Sequence, residues 1–157
     1  MALEITTVGA KVKYCAEASA NTRPTTGYTE LKDVNTAPEI PFEYEALPCS
    51  NISDTVSRYT KGRQEPPGSV TFTLNHTDAQ LDGTSVGGWS KMKAVYDALT
   101  GGKAIWIEYA FPGSAKSFFY RIEPCALGSN GIEQNQVDTL PAVAIVSDVA
   151  GWAAAST

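Results

Sequence analysis

The chain has 157 residues, an apolar fraction of 43% and a formal net charge of −5, so it is long enough for one domain with a sizeable core. Only 18% of its residues are charged, less than in ordinary globular proteins, which predicts a surface rich in Thr, Ser, Asn, Gln and Gly. The acidic balance argues against nucleic-acid binding as the main task, because gripping phosphates requires an excess of clustered Lys and Arg.

The beginning of the chain and its cysteines indicate the compartment. The first residues, MALEITTVGAKVKY, have neither the basic segment nor the apolar stretch of a secretion signal, and no apolar run reaches the ~20 residues of a membrane helix. We therefore expect a soluble cytoplasmic protein. Cys15, Cys49 and Cys125 lie far apart and form no C-x-x-C pair, so we expect buried free thiols, with neither a zinc site nor a disulfide framework.

The first half of the chain predicts strands separated by long loops. Residues 17–40 form one long polar loop and residues 48–68 a second. Between them, PFEYEA has Phe42 and Tyr44 on one face and glutamates on the other, which is the pattern of a half-buried strand. SVTFTLN, after the second loop, alternates in the same way. Because connections in compact domains have a median of about 4–6 residues, loops of this length are usually functional.

One stretch predicts a helix, over about residues 89–100. Ser90 suits its N-cap, and Gly101 suits the left-handed position at its end. Its apolar residues recur every three or four positions, as expected for a helix with one face against a sheet. That packing face consists of Trp89, Met92, Val95, Tyr96 and Leu99.

The second half of the chain returns to strands. KAIWIEYAF and SFFYRIEPCAL, joined by the turn FPGSAK, predict a hairpin, and two more strands are expected at roughly 131–139 and 141–149. Together the elements predict a mainly β protein, an antiparallel β-sandwich with one flanking α-helix and long assembly loops. We expect a single domain over residues 1–157.

The residues that carry catalytic or metal chemistry are few. His76 is the only histidine, and with Asp78 it would serve as the base of a hydrolase, but no G-x-S-x-G or comparable nucleophile motif accompanies it. Asp78 and Asp82 match a calcium loop only loosely, since the EF-hand spacing and its final Glu are missing. We therefore expect no catalytic residue, no metal, no cofactor and no enzymatic activity.

The loop over residues 48–68 contains charges of both signs beside paired prolines. An ordinary solvated loop would explain them, but a two-signed arm would also suit docking on a neighbouring copy of the chain. The candidate arm residues are Asp54, Arg58, Tyr59, Lys61, Arg63, Glu65, Pro66 and Pro67.

The order of these features resembles the major tail tube proteins of long-tailed, siphovirus-like bacteriophages and prophages. The resemblance covers nearly the whole chain and is carried by PFEYEALPCSNISDT, KGRQEPPGSVTFTLNH, the Trp before the helix, and VDTLPAVAIVSDVAG. It implies a β-sandwich whose copies form hexameric rings, stacked into the hollow tube through which DNA is delivered. It also implies that the loop at about 48–68 reaches into an adjacent ring.

The same resemblance implies where the protein acts and with what. The expected location is the virion tail, with assembly in the host cytoplasm, and the expected partners are further copies of the chain and the tail terminator, baseplate or tape-measure proteins. DNA would pass through without specific binding, which a neutral or acidic polar lumen allows, and no membrane would be involved. The candidate lumen-facing residues are Glu108, Glu133, Gln134, Gln136 and Asp138.

A second function class is open to the same sequence. A monomeric β-sandwich that binds carbohydrate or peptide would use exposed aromatic side chains as a platform, with Trp106, Tyr59 and Trp152 as candidates. Such a module would stay monomeric at high concentration, whereas a tube protein would assemble.

Overall fold

Antiparallel strands dominate the part of the chain that the structure, a computed structural model, describes: residues 4–157. Its elements are β1 (Lys11–Ala16), β2 (Thr29–Glu30), β3 (Val34–Thr36), β4 (Glu43–Pro48), β5 (Tyr59–Glu65), β6 (Ser69–Asn75), α1 (Asp78–Leu81), α2 (Trp89–Asp97), β7 (Ile105–Ala110), β8 (Lys116–Leu127) and β9 (Thr139–Ala154). Seven strands form one sheet in the order β2-β1-β7-β8-β9-β6-β3, and β4 pairs with β5. The predicted mainly β, sandwich-like fold is confirmed.

The seven-stranded sheet is curled, and a short connection shows how strongly. Residues 31–33 join β2 to β3, which lie at opposite edges of the sheet. Such a connection spans at most about 14 Å, whereas seven flat strands would be about 29 Å wide. Register shifts along β8 and β9, such as the one between Phe119 and Tyr120, supply the bending. The curl encloses a core that includes Phe72, Ile107 and Tyr120.

Helix α2 covers the open side of this core with the predicted face. Trp89 and Met92 are fully buried, and Val95, Tyr96 and Leu99 are partly buried against the core. The rings of Phe72 and Trp89 lie 5.3 Å apart. In the structure, all five residues of the expected packing face thus lie in or against the core.

The ends of α2 differ from the prediction. The helix begins after Gly88 and ends at Asp97, and the hydroxyl of Ser90 donates to the carbonyl of Gln80 (2.6 Å) instead of capping the helix. A Cβ at Gly88 would lie 2.0 Å from the carbonyl oxygen of Ala79, so this position requires glycine. The Gln80 side chain accepts a hydrogen bond from the backbone N–H of Trp89 (2.9 Å) and takes over the capping role.

Three predicted segments are corrected by the structure. Residues 48–68 are not one long loop, because β5 pairs with β4 and leaves only 49–58 and the short link 66–68 irregular. Residues 17–40 contain the two short edge strands. Residues 131–138, predicted as a strand, are irregular and include Asn135 at a φ of 62°, which a regular strand does not allow.

The central strands are buried on both faces, because the segment 17–28 lies across the outer face of the sheet. On that face Arg23 stacks over the ring of Phe119 at 4.3 Å, and Tyr28 meets the same ring edge-on at 5.8 Å. The segment thus acts as the second layer of the sandwich.

The expected burial of the cysteines holds only in part: Cys15 and Cys125 are partly buried, but Cys49 is exposed because it lies on the separate β4–β5 hairpin.

Candidate assembly surfaces

The β4–β5 hairpin, residues 43–65, is here called the arm. All residues of β4 and most of β5 are exposed, and within the described chain these two strands pair only with each other. At the arm's base, the side-chain amide of Gln64 donates to the carbonyl of Val149 (3.4 Å). The Phe42 ring lies so close to Gly151 that a Cβ there would meet it at 3.1 Å. Because an isolated two-stranded hairpin is marginally stable in water, the arm would gain stability from a partner surface.

Two of the predicted arm charges neutralise each other at the tip of the arm. Arg58 Nε lies 3.0 Å from Asp54 Oδ2, and the same carboxylate oxygen accepts the backbone N–H of Asn51 (2.8 Å). Exposed ion pairs of this kind contribute little to stability, so their role is to shape the turn. Asp54 and Arg58 are therefore not the charges that the arm offers to a partner.

The charges that remain free lie along β5. Tyr59, Lys61, Arg63 and Glu65 are all exposed, and Gln64 contacts the body. A register shift between Tyr44 and Ala46 breaks the alternation, so Lys61 lies on the same side of the hairpin as Tyr44 and Gln64, and Glu65 lies on the other side. Lys61 Nζ lies 3.7 Å from the centroid of the Tyr44 ring. No carboxylate of the described chain lies within ion-pairing distance of Lys61 or Arg63.

Pro66 and Pro67 form a joint between the arm and the body. The chain then turns at Gly68, whose φ is 79°, and the carbonyl of Gly68 accepts a hydrogen bond from the N–H of Val146 (2.7 Å). Proline restricts φ and glycine permits the left-handed turn. The joint therefore fixes where the arm leaves the sheet.

A second exposed surface is the loop over residues 129–138, here called the end loop. It contains four of the five predicted lumen residues, and all four are exposed. Ile132 is 93% and Val137 82% exposed, and the loop lines an open cavity of about 440 Å³. Asn130 anchors one end of the loop through a hydrogen bond to the Thr139 hydroxyl (2.7 Å).

The remaining lumen candidate, Glu108, is placed elsewhere. It is 1% exposed and accepts a hydrogen bond from the Ser117 hydroxyl at 3.2 Å, while its other carboxylate oxygen has no hydrogen-bond partner in the described chain. The prediction that Glu108 faces an open surface is wrong for the single chain, because the segment 17–28 helps to cover that face of β7.

A buried ion pair holds this covering segment, and the sequence patterns did not indicate it. Glu17 Oε1 accepts hydrogen bonds from Arg121 Nε (2.6 Å) and from the indole of Trp106 (2.7 Å). Its second oxygen accepts the backbone N–H of Asn21 (3.0 Å). Burial alone would raise the pKa of the Glu17 carboxyl, but these three hydrogen bonds outweigh it and hold the pKa below its usual value. Trp106 is consequently 2% exposed, so it cannot belong to an exposed aromatic platform.

Trp152 lies in a groove at the base of the arm. The side chain is 60% exposed, and its ring meets those of Phe111 and Phe118 at 5.8 and 5.4 Å. Ile40 and Phe42 also line this groove, which has a volume of about 340 Å³. Tyr59, the third predicted platform residue, lies on the arm.

His76 does not form the pair that the sequence suggested. Its Nδ1 lies 2.5 Å from Asp138 Oδ2, not against Asp78, and its backbone N–H donates to the Asp138 carbonyl (3.1 Å). The pair ties the end of β6 to the start of β9, and no serine hydroxyl within residues 4–157 hydrogen-bonds to this ring.

The described chain has no group of three His, Cys, Asp or Glu residues arranged for a metal ion. It also has no helix long and apolar enough to cross a bilayer.

Comparison with known proteins relates this architecture to a component of a solved assembly. No family model matches the chain, and no curated protein matches it. A chain in the six-fold symmetrised cryo-EM structure of the anti-feeding prophage baseplate matches over 95% of this chain and 93% of its own length, with a TM-score of 0.50 and 11% sequence identity. The present chain therefore shares its fold, over nearly its whole length, with a chain of a prophage baseplate.

Proposed function

We propose that the chain is a structural protein of a phage-type tail, and that its copies form hexameric rings that stack into the hollow tube through which DNA is delivered. The main support is the fold shared over 95% of the chain with a component of a six-fold symmetrised prophage baseplate. The proposed location is the virion tail, with assembly in the host cytoplasm. The proposal assigns no enzymatic role, no cofactor and no specific DNA binding.

The sheet edges support self-assembly on physical grounds. Edge strand β2 pairs with only two residues of β1, and β3 with only two residues of β6. Beyond Ile145, β9 has β8 on one side and no strand of the described chain on the other. Unpaired edges accept strands from another chain, and a head-to-tail contact that closes by rotation produces a ring.

Electron microscopy of the purified full chain in negative stain, over a concentration series, tests this proposal. Rings or hollow tubes are expected, and light scattering should show a mass that grows with concentration. Particles that remain monomeric at all concentrations would contradict self-assembly. The tail terminator, baseplate and tape-measure proteins are the proposed further partners, and pull-down with tagged tubes would identify them.

The groove around Trp152 supports one alternative, a monomeric module that binds carbohydrate or peptide. Exposed aromatic rings in a groove are a common platform for such ligands. This alternative predicts a monomer at high concentration, and quenching of Trp152 fluorescence by ligand that is lost in Trp152→Ala. Assembly into rings without any such quenching would decide against it.

A further inference from the structure

We propose that Asn130, near the start of the end loop, is a site of spontaneous deamidation, in which the backbone nitrogen of Gly131 attacks the side-chain amide. This chemistry is independent of the proposed function. It follows from the residue pair, from the hydrogen bonds around it and from its exposure to water.

Asn130 is the only asparagine of the chain that is followed by glycine. Because glycine has no Cβ, its backbone nitrogen can come close to the side chain of the preceding residue. Asparagine is among the residues that limit the chemical stability of proteins on heating. The pair therefore combines a labile amide with the least hindered backbone nitrogen that a protein offers.

The structure leaves both reacting groups accessible. Asn130 and Gly131 are exposed to solvent. The backbone N–H of Gly131 donates no hydrogen bond in the described chain, and the side-chain oxygen of Asn130 accepts none there. The attacking nitrogen is thus not held by another acceptor, and water reaches the site for the second step.

The reaction consumes water and needs no other reactant. The Gly131 nitrogen loses its proton to solvent and forms a bond to the carbonyl carbon of the Asn130 side chain. The bond from this carbon to the side-chain nitrogen breaks, and the nitrogen takes up a proton and leaves as ammonia. Water then opens the resulting cyclic imide at either carbonyl group, giving aspartate or isoaspartate. Nothing is oxidised or reduced.

A related pair, Asp82-Gly83, shows how the fold protects such a site. Asp82 Oδ1 accepts hydrogen bonds from the backbone N–H (2.9 Å) and the hydroxyl (2.7 Å) of Thr84, and Oδ2 accepts one from the Ser85 hydroxyl (3.0 Å). These hydrogen bonds, above all those from Thr84, hold the pKa of the Asp82 carboxyl below its usual value. Because an ionised carboxylate is a poor electrophile, we expect Asp82 to remain unchanged.

Conversion of Asn130 alters the anchor of the end loop. The side-chain amide donates to the Thr139 hydroxyl (2.7 Å) and to the Thr139 carbonyl (3.1 Å). A carboxylate only accepts hydrogen bonds, so the bond to the carbonyl is lost, whereas the hydroxyl can rotate and donate. The new negative charge lies in a loop that already contains Glu133 and Asp138. In isoaspartate the main chain also runs through the side-chain carbon, which lengthens the link between β8 and β9.

Peptide mapping by mass spectrometry, on the full chain sampled during incubation at mildly alkaline pH, tests the proposal. We expect aspartate and isoaspartate to accumulate at position 130. Gly131→Ala should slow this conversion by about tenfold or more, and the fold accepts it, because a Cβ there would meet no atom within 4 Å. Asn135 is the internal control, since it is exposed in the same loop but is followed by Gln136. It should keep its amide.

Hydrogen exchange measures the effect on the loop. Asn130→Asp reproduces one product of the reaction, so residues 131–139 should exchange faster in this variant than in the wild type. The central strands β7 and β8 should exchange at the same rate in both proteins. Unchanged exchange in the end loop would show that the anchor does not depend on the Asn130 amide.

A synthetic peptide with the sequence of residues 126–134 gives the reference rate. If the peptide converts while Asn130 in the folded chain keeps its amide, the fold protects the site and the inference is wrong. Equal conversion at Asn130 and Asn135, or equal rates in the wild type and Gly131→Ala, would also overturn it, because the reaction would then not depend on glycine. None of these results changes the tail proposal.

Discussion

At the scale of single residues, the Glu17–Arg121 pair is the interaction with the largest expected effect. Replacing Glu17 with Ala leaves the guanidinium of Arg121 buried and unpaired, since both side chains are at most 7% exposed. We expect the free energy of unfolding to fall by about 3–5 kcal/mol, measured by urea denaturation. Glu30→Gln, which breaks the exposed pair with Lys11, is the control and should cost less than about 1 kcal/mol. An equal fall in the free energy of unfolding in both variants would contradict the conclusion that the buried pair contributes more than the exposed one.

The same carboxyl predicts a dependence on pH. Its pKa is lowered in the folded chain, so its contribution is present above the ordinary Glu pKa of about 4.3 and is lost as the pH falls through the lower folded value. The free energy of unfolding of the wild type should therefore fall more steeply below pH ~4 than that of Glu17→Gln. Urea denaturation between pH ~3 and ~7 measures the free energy of unfolding of both proteins. Parallel curves against pH would show that the Glu17 carboxyl does not contribute to this dependence.

Two glycines provide a matched pair for testing the helix junction. Gly88→Ala would place a Cβ 2.0 Å from the Ala79 carbonyl oxygen, whereas a Cβ at Gly83 would meet no atom within 4 Å. We expect Gly88→Ala to lower the free energy of unfolding by about 1–3 kcal/mol and Gly83→Ala to change it by about 0.5 kcal/mol or less. Thermal unfolding followed by circular dichroism would compare them. A tolerated alanine at position 88 would mean that the junction relaxes.

At the scale of elements, the arm can be removed without disturbing the main sheet, because its strands pair only with each other. Tyr44 and Gln64 face each other in the arm's register. Replacing residues 45–63 with Asn-Gly would therefore join them by a two-residue hairpin turn. We expect a folded chain that keeps the far-ultraviolet spectrum of a β protein and forms monomers or single rings but does not stack. Long tubes in electron micrographs of this variant would show that the arm is dispensable.

At the scale of the whole molecule, contacts that close a ring and contacts by which the charged arm would stack rings should respond differently to salt. Raising the ionic strength from about 0.1 to about 1 M shortens the screening length from ~10 to ~3 Å, which weakens contacts between exposed charges. Rings that close through sheet edges depend on backbone hydrogen bonds. We therefore expect tubes to separate into rings at high salt, with the rings intact by light scattering and microscopy. Dissociation directly to monomers would contradict this division.

The sequence by itself determined those features that depend on local periodicity. The apolar face from Trp89 to Leu99 could be predicted because the three- and four-residue spacing of a helix is visible along the chain. The strand from Ser69 to Asn75 was predicted because one of its faces is buried and alternation records this. Strand β5 was missed because YTKGRQE is largely exposed, so no apolar alternation marks it.

Only the tertiary structure decided which surfaces are covered and which are free. Alternation showed that Glu108 lies on the second face of its strand, but not that the segment 17–28 covers this face. The contact between Glu17 and Arg121 joins residues 104 positions apart, and no local pattern records such a distance. The polar end loop resembled a strand until the left-handed Asn135 excluded it. Packing between distant segments determines which surfaces are covered, because burial and pairing depend on the whole curled sheet and not on any stretch of sequence alone.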